Sequence, residues 1–151
     1  MMALTGPRMA LSAFSALAAA AVFATPATAT SYTNTISVQP YVHITPDGTI
    51  TLSGTYVCND PSPAGAVQLM TVVVQDSVRL GSNADEEPVC DGAVHEWDSH
   101  ARIAWTPGLH AGEAGVEARL QRVNRAGGGI MPKSIDTLAE DVHGVEVVDH
   151  R

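Results

Sequence analysis

Ten consecutive residues, Thr49 to Cys58, alternate side-chain character without a break. Ile50, Leu52, Gly54, Tyr56 and Cys58 share one parity, and Thr49, Thr51, Ser53, Thr55 and Val57 the other. A strand sends successive side chains to opposite faces, so this pattern predicts a half-buried strand with Cys58 pointing inward. The preceding Tyr41 to Thr45 is expected to pair with it as a hairpin. Pro46 presets the first bend of the connection, and Gly48 can take the left-handed conformation that closes it.

The rest of the chain repeats that grammar. Turn signals recur at Asn59-Asp60-Pro61-Ser62-Pro63, Gly81-Ser82-Asn83, Asp91-Gly92, Thr106-Pro107-Gly108 and Gly127-Gly128-Gly129. Short apolar stretches between evenly spaced turns point to a sandwich or barrel. Val67 to Gln75 carries no breaker and is expected as a central strand, and Gly81 to Glu87 as a polar loop. Val94 to Asp98 should be a short strand, followed by an alternating Ile103 and Trp105. Glu113 to Arg125 fits both periods. Gly112 and Gly115 weaken a helix by about 1 kcal/mol each, so a strand is expected there. A last strand is expected around Val142 to Val148. The expected fold is all-β, an immunoglobulin-like antiparallel β-sandwich with one disulfide.

The first residues follow a different logic. Met1 to Arg8 carries one positive charge, and Met9 to Ala24 is an uncharged, alanine-dominated run. Ala27-Thr28-Ala29 then offers a small-x-small cleavage site. That order predicts a secretory signal over residues 1–29, too short and alanine-rich for a bilayer span of about 20 residues. The single β-sandwich domain would then occupy residues 30–151, and the protein would be secreted and extracellular. No later segment is apolar and long enough to cross a membrane as a helix, so no membrane association is expected after cleavage.

Two cysteines remain, Cys58 and Cys90. In an oxidising compartment an even count favours pairing, and the absence of a CxxC disfavours redox or metal chemistry. The mature chain sets sixteen acidic residues against seven basic ones once Arg8 is gone. Such a balance repels nucleic acid and anionic lipid.

Motifs that could carry chemistry are incomplete. His95-Glu96-Trp97-Asp98-Ser99-His100 resembles a zinc motif, but its histidines are five apart, which on a strand means opposite faces. His43, His110, His143 and His150 are scattered. Asp85-Glu86-Glu87 offers hard oxygens without the alternation and central glycine of a calcium loop. There is no GxSxG elbow, and the triglycine lacks the lysine of a phosphate loop. Tyr32, Tyr41, Tyr56, Trp97 and Trp105 could form a sugar-binding strip, but Tyr56 is expected in the core. No catalytic residues, no cofactor and no metal ligands are therefore assigned, and the protein is not expected to be an enzyme.

The segments Gly54-Thr55-Tyr56-Val57-Cys58 and Cys90-Asp91-Gly92-Ala93-Val94-His95-Glu96-Trp97, the valine-rich strand between them and the Pro107-Gly108 turn carry a resemblance. The chain resembles small secreted actinobacterial proteins grouped as domain of unknown function 6299, over about Ser37 to Val148. The resemblance implies export, a β fold and the cysteine pair, with Glu113 to Arg125 as a strand. It implies no catalytic or binding residue. Immunoglobulin domains place a tryptophan between their two cysteines, whereas Trp97 and Trp105 both follow Cys90. The expected function is a non-catalytic extracellular binding or structural module. Its partner would be an unknown extracellular protein or ligand, met by the loops Asn59–Gly65 and Gly81–Pro88. An inhibitor of extracellular enzymes and a metal-binding module are the alternatives.

Overall fold

Eight strands account for every regular element in the computed structural model, which describes residues 33–102, 108–125 and 130–151. They are β1 (Thr35–Val38), β2 (Tyr41–Ile44), β3 (Thr49–Val57), β4 (Val67–Gln75), β5 (Val78–Asn83), β6 (Val94–Arg102), β7 (Gly112–Asn124) and β8 (Ser134–Asp149). Ser31–Arg151 is one compact unit. The expected leader (1–29), the pair Ile103 and Trp105, and the triglycine lie outside the described residues.

The hairpin of β2 and β3 forms as its sequence predicts. Gly48 has φ 84°, and its N–H donates to the Thr45 carbonyl at 2.9 Å. β1 extends the first arm of this hairpin along the same edge of β3. Ile44 faces Ile50, and Val38 faces Gly54, so the arm from Val38 to Ile44 holds two more residues than the stretch it faces. The excess is taken up at Gln39-Pro40, where proline has no N–H for the ladder. β6 lines the other edge of β3 over its whole length, from Thr49 opposite Arg102 to Val57 opposite Val94.

From β2 the sheet continues through β8, β7 and β4 to β5, and all eight strands belong to one open sheet. The β2–β8 pair is parallel, with Tyr41 opposite Glu146, which corrects the expectation of a purely antiparallel fold. Only β2 of this arm pairs with β8; in β1 the Val38 N–H donates instead to the Asp141 carboxylate of β8 at 2.9 Å. At the far ends of the sheet the loop after β5 meets β6, where the Asp85 N–H donates to the Asp98 carbonyl at 2.9 Å.

One face of the sheet supplies the core. Val42, Ile44, Ile50, Leu52, Leu69, Val73, Val116, Leu120 and Val147 are each no more than 2 % exposed. Burying such a side chain contributes roughly 1.5–3 kcal/mol. A register shift between Leu120 and Gln121 breaks the alternation of β7, which leaves both of these neighbours buried.

Two expectations change. Gly81-Ser82-Asn83 is the end of β5 and not a turn. The turn is Asp76-Ser77, where Asp76 takes φ 53°. Asp visits that conformation more readily than most residues. The Cys58–Cys90 disulfide is formed. It joins the end of β3 to the approach of β6, its neighbour in the sheet, and so differs from the inter-sheet bond of an immunoglobulin domain.

Candidate functional site

The segment between β5 and β6, residues 84–93, is fixed at both ends, at 84–85 and at 89–93. The Ala84 N–H donates to the Leu69 carbonyl at 2.9 Å, next to the Asp85–Asp98 bond already described. The Val89 N–H donates to the Tyr56 hydroxyl at 2.8 Å. Cys90 is bonded to Cys58, and the Gly92 N–H donates to the Cys58 carbonyl at 2.9 Å. Gly92 has φ 79°, which favours glycine, and a Cβ there would lie 2.6 Å from the Asn59 side-chain oxygen and displace it. Asp91 Oδ1 accepts the Ala93 N–H at 2.9 Å and contacts His95 Nε2 at 2.8 Å. The His95 and Ala93 bonds hold the Asp91 carboxyl below its ordinary value. The His95 ring stacks on Tyr56 with centroids 5.4 Å apart.

This fixed segment borders two hollows. One, of about 250 Å³, lies over Val67, Leu69, Asn83 and Pro88. The other, of about 330 Å³, lies between Ser62–Gly65 and Glu87–Cys90. The facing loop is held from the other side. Burial pushes the Asp60 carboxyl up, but hydrogen bonds from Ser62 and the Arg122 guanidinium outweigh this and hold it below its ordinary value. Arg122 donates to Asp60 at 2.7 Å and to Asp136 at 2.8 Å, which ties the loop to the β7–β8 hairpin.

Asp85, Asp98 and His100 meet on the outside of β6. One ligand atom from each lies within 4.8 Å of the others, and all three residues are exposed. The His100 N–H donates to Asp85 Oδ1 at 3.3 Å, and His100 Nδ1 contacts Asp85 Oδ2. Two carboxylates and an imidazole are a donor set for a borderline divalent ion such as zinc or manganese. Ser99, between Asp98 and His100, is fully buried and bonds to Ser82 at 2.6 Å. Its hydroxyl therefore faces the interior and is not presented to His100 as a nucleophile.

The sequence weighed the acidic run and the histidine segment separately, and the fold joins one residue of the first to two of the second. No sequence signal linked them, because the approach of the β5–β6 segment to β6 is a long-range event. His95 and His100 do fall on opposite faces of β6, as their spacing requires. Glu86 and Glu87 are not part of the cluster. The remaining histidines stay apart from it. His43 and His150 stack at 5.3 Å, with ring nitrogens 3.0 Å apart. His143 contacts Asp141 at 2.9 Å. His110 contacts Asp76 at 2.9 Å, which together with the Ala111 carbonyl raises its pKa. Of the aromatic residues, Tyr56 and Trp97 are buried and Tyr41 is exposed, so these three do not form a strip. Tyr32 and Trp105 lie outside the described residues.

A model of a family of unknown function (DUF6299) matches residues 32–146. No curated protein and no solved structure matches the chain.

Proposed function

The chain belongs to the family of unknown function DUF6299, and we propose that it is an exported, non-catalytic binding module whose recognition surface is built from the loops 59–66 and 84–93. The observation that carries the reading is the fixing of residues 84–85 and 89–93, on either side of Glu86–Pro88, by Leu69, Asp98, Tyr56 and the disulfide beside two hollows. A loop held before binding loses little conformational freedom on binding, so more of its contact energy becomes affinity. The leader pattern supports export, and the bonded cysteines agree with an oxidising destination. The finer fold reading, an immunoglobulin-like sandwich, belongs to the same proposal. It draws support from the all-β content and the single hydrophobic core, while the one continuous sheet weighs against it. The bond between neighbouring strands weighs against a true immunoglobulin plan.

Alanine blocks at Ser62–Gly65 and at Glu86–Val89 test the surface. A partner captured from the extracellular medium by the oxidised protein should be lost with either block. Undiminished capture by both variants would overturn the loop assignment. Export is checked separately by the mass of the released product, which should begin near Thr30 and show two thiols only after reduction.

A second reading, a divalent-metal module, draws support from the convergence of Asp85, Asp98 and His100. Zinc or manganese should then raise the thermal midpoint of the protein but not that of Asp98→Asn. A midpoint indifferent to either ion would remove this reading.

A further inference from the structure

Gly115 of β7 and Gly144 of β8 are register partners in the middle of a wide sheet. Both lie on the face away from the core, since Ala114, Val116 and Val145 beside them are buried inward. Neither has a positive φ. A Cβ at Gly115 would come no nearer than 3.8 Å to the Val74 carbonyl, and one at Gly144 no nearer than 3.9 Å to that of Ala114. These are ordinary contacts, so the fold accepts a Cβ at either position. Glycine inside a strand weakens it, and a fold with no need of it there marks a place where something else approaches the backbone.

The two glycines floor a trench of about 720 Å³, walled by Pro40 and Tyr41 on one side and by Val74 and Asp76 on the other. On its rim Glu113 and Glu146 are register partners, and Tyr41 is the next partner of Glu146 in the same row. All three are exposed, Tyr41 at 53 %. Among the described residues no cation pairs with either glutamate side chain. Like charges directly opposed across a ladder destabilise it, and a cation placed between them relieves that repulsion.

We propose that this trench binds an arginine side chain of an extended segment of a partner polypeptide. The planar guanidinium can pair with two carboxylates at once and stack on the Tyr41 ring, which a compact ammonium does less well. The trench crosses β2, β8, β7 and β4, about 14 Å at the usual strand spacing, or roughly four extended residues. Its apolar walls, Tyr41 and Val74, suit the neighbouring side chains of a polypeptide and give a linear polyamine nothing further to bind. The site lies on a different surface from the loops 59–66 and 84–93 and does not depend on their role.

Calorimetric titration of the oxidised protein tests this with three probes: a capped Val-Arg-Val-Arg peptide, its Val-Gln-Val-Gln counterpart, and spermine. The arginine peptide should bind and the glutamine peptide should not. Glu113→Gln and Glu146→Gln should each weaken binding about tenfold or more. Gly115→Val and Gly144→Val should keep or raise the thermal midpoint, since the backbone accepts a Cβ at both sites and valine favours a strand, and should abolish binding by filling the floor. Absence of binding, or binding unchanged by the glutamine variants, would overturn the site. A falling midpoint in the valine variants would show that the glycines serve the fold. Spermine binding as tight as that of the peptide would overturn the polypeptide partner.

Discussion

Gly54 stands between two strands, as register partner of Val38 in β1 and of Trp97 in β6. A Cβ there would lie 1.8 Å from the Ser37 carbonyl oxygen and 2.8 Å from the Trp97 indole nitrogen. The indole N–H donates to that same carbonyl at 3.2 Å, so the bare glycine is what lets the ring cross the strand and reach it. Gly54→Ala should therefore destabilise the protein by about 3 kcal/mol, the upper range for forcing atoms into a packed site. Gly115→Ala should stay within about 1 kcal/mol of the parent, the span of strand propensity. Urea denaturation of the two variants side by side checks this, and equal midpoints would mean that the contact at Gly54 relaxes freely. The alternation of Thr49 to Cys58 already placed Gly54 inward with Ile50, Leu52 and Tyr56. It held no hint of the reason for glycine, because Ser37 and Trp97 arrive from distant parts of the chain. The same limit hid the meeting of Asp85 with His100, while the opposition of His95 and His100 followed from parity alone.

β3 was legible because it carries its period over nine residues, β4 because its apolar run has no breaker, and β7 because Gly112 and Gly115 disfavour the helix that its spacing equally allows. β5 was not. Its end, Gly81-Ser82-Asn83, has turn composition, and the pairing of Val72 with Gly81, Thr71 with Ser82 and Met70 with Asn83 holds it extended. Pairing also decides how far β8 runs, since most of its length lies against β7. That hairpin in turn holds the 59–66 loop through Arg122, which bridges Asp60 and Asp136. Arg122→Met strands the buried Asp60 carboxylate. It should lower the urea midpoint more than Arg119→Met, whose loss leaves only half-exposed or exposed partners. The pH sense follows from direction. Ser62 and Arg122 at Asp60, and Arg122 and Asn124 at Asp136, hold both carboxyls below their ordinary value. Their contribution is complete above the unfolded carboxylate value of about 3.9 and is lost as pH falls through the lower folded values. The gap between parent and Arg122→Met should accordingly be full at pH 6 and narrow below pH 4. A gap that widens on acidification would contradict the assignment.

Across the whole molecule the unusual feature is where the disulfide acts. β3 and β6 are neighbours along their full length, yet the chain between them builds β4 and β5 at the opposite edge of the sheet. Cysteine spacing alone cannot separate a bond between packed sheets from a bond between adjacent strands, and for that reason the sequence suggested an immunoglobulin comparison that the strand order does not follow. Pairing of β3 with β6 must close a long loop before any ladder bond rewards it, an entropic cost that slows folding. The Cys58–Cys90 bond closes that loop, a separation of 32 residues, immediately beside the first ladder pair, Val57 with Val94. On the chain-entropy account this constrains the unfolded chain and is worth about 3–4 kcal/mol. The Cys58→Ala, Cys90→Ala double variant should thus keep the strand signal of the parent in circular dichroism, lose about 3–4 kcal/mol in urea, and refold more slowly. Because the effect lies in the unfolded ensemble, most of the loss should appear in the refolding rate and little in the unfolding rate. A double variant that refolds at the parental rate but unfolds much faster would place the stabilisation in native contacts around the bond and not in loop closure.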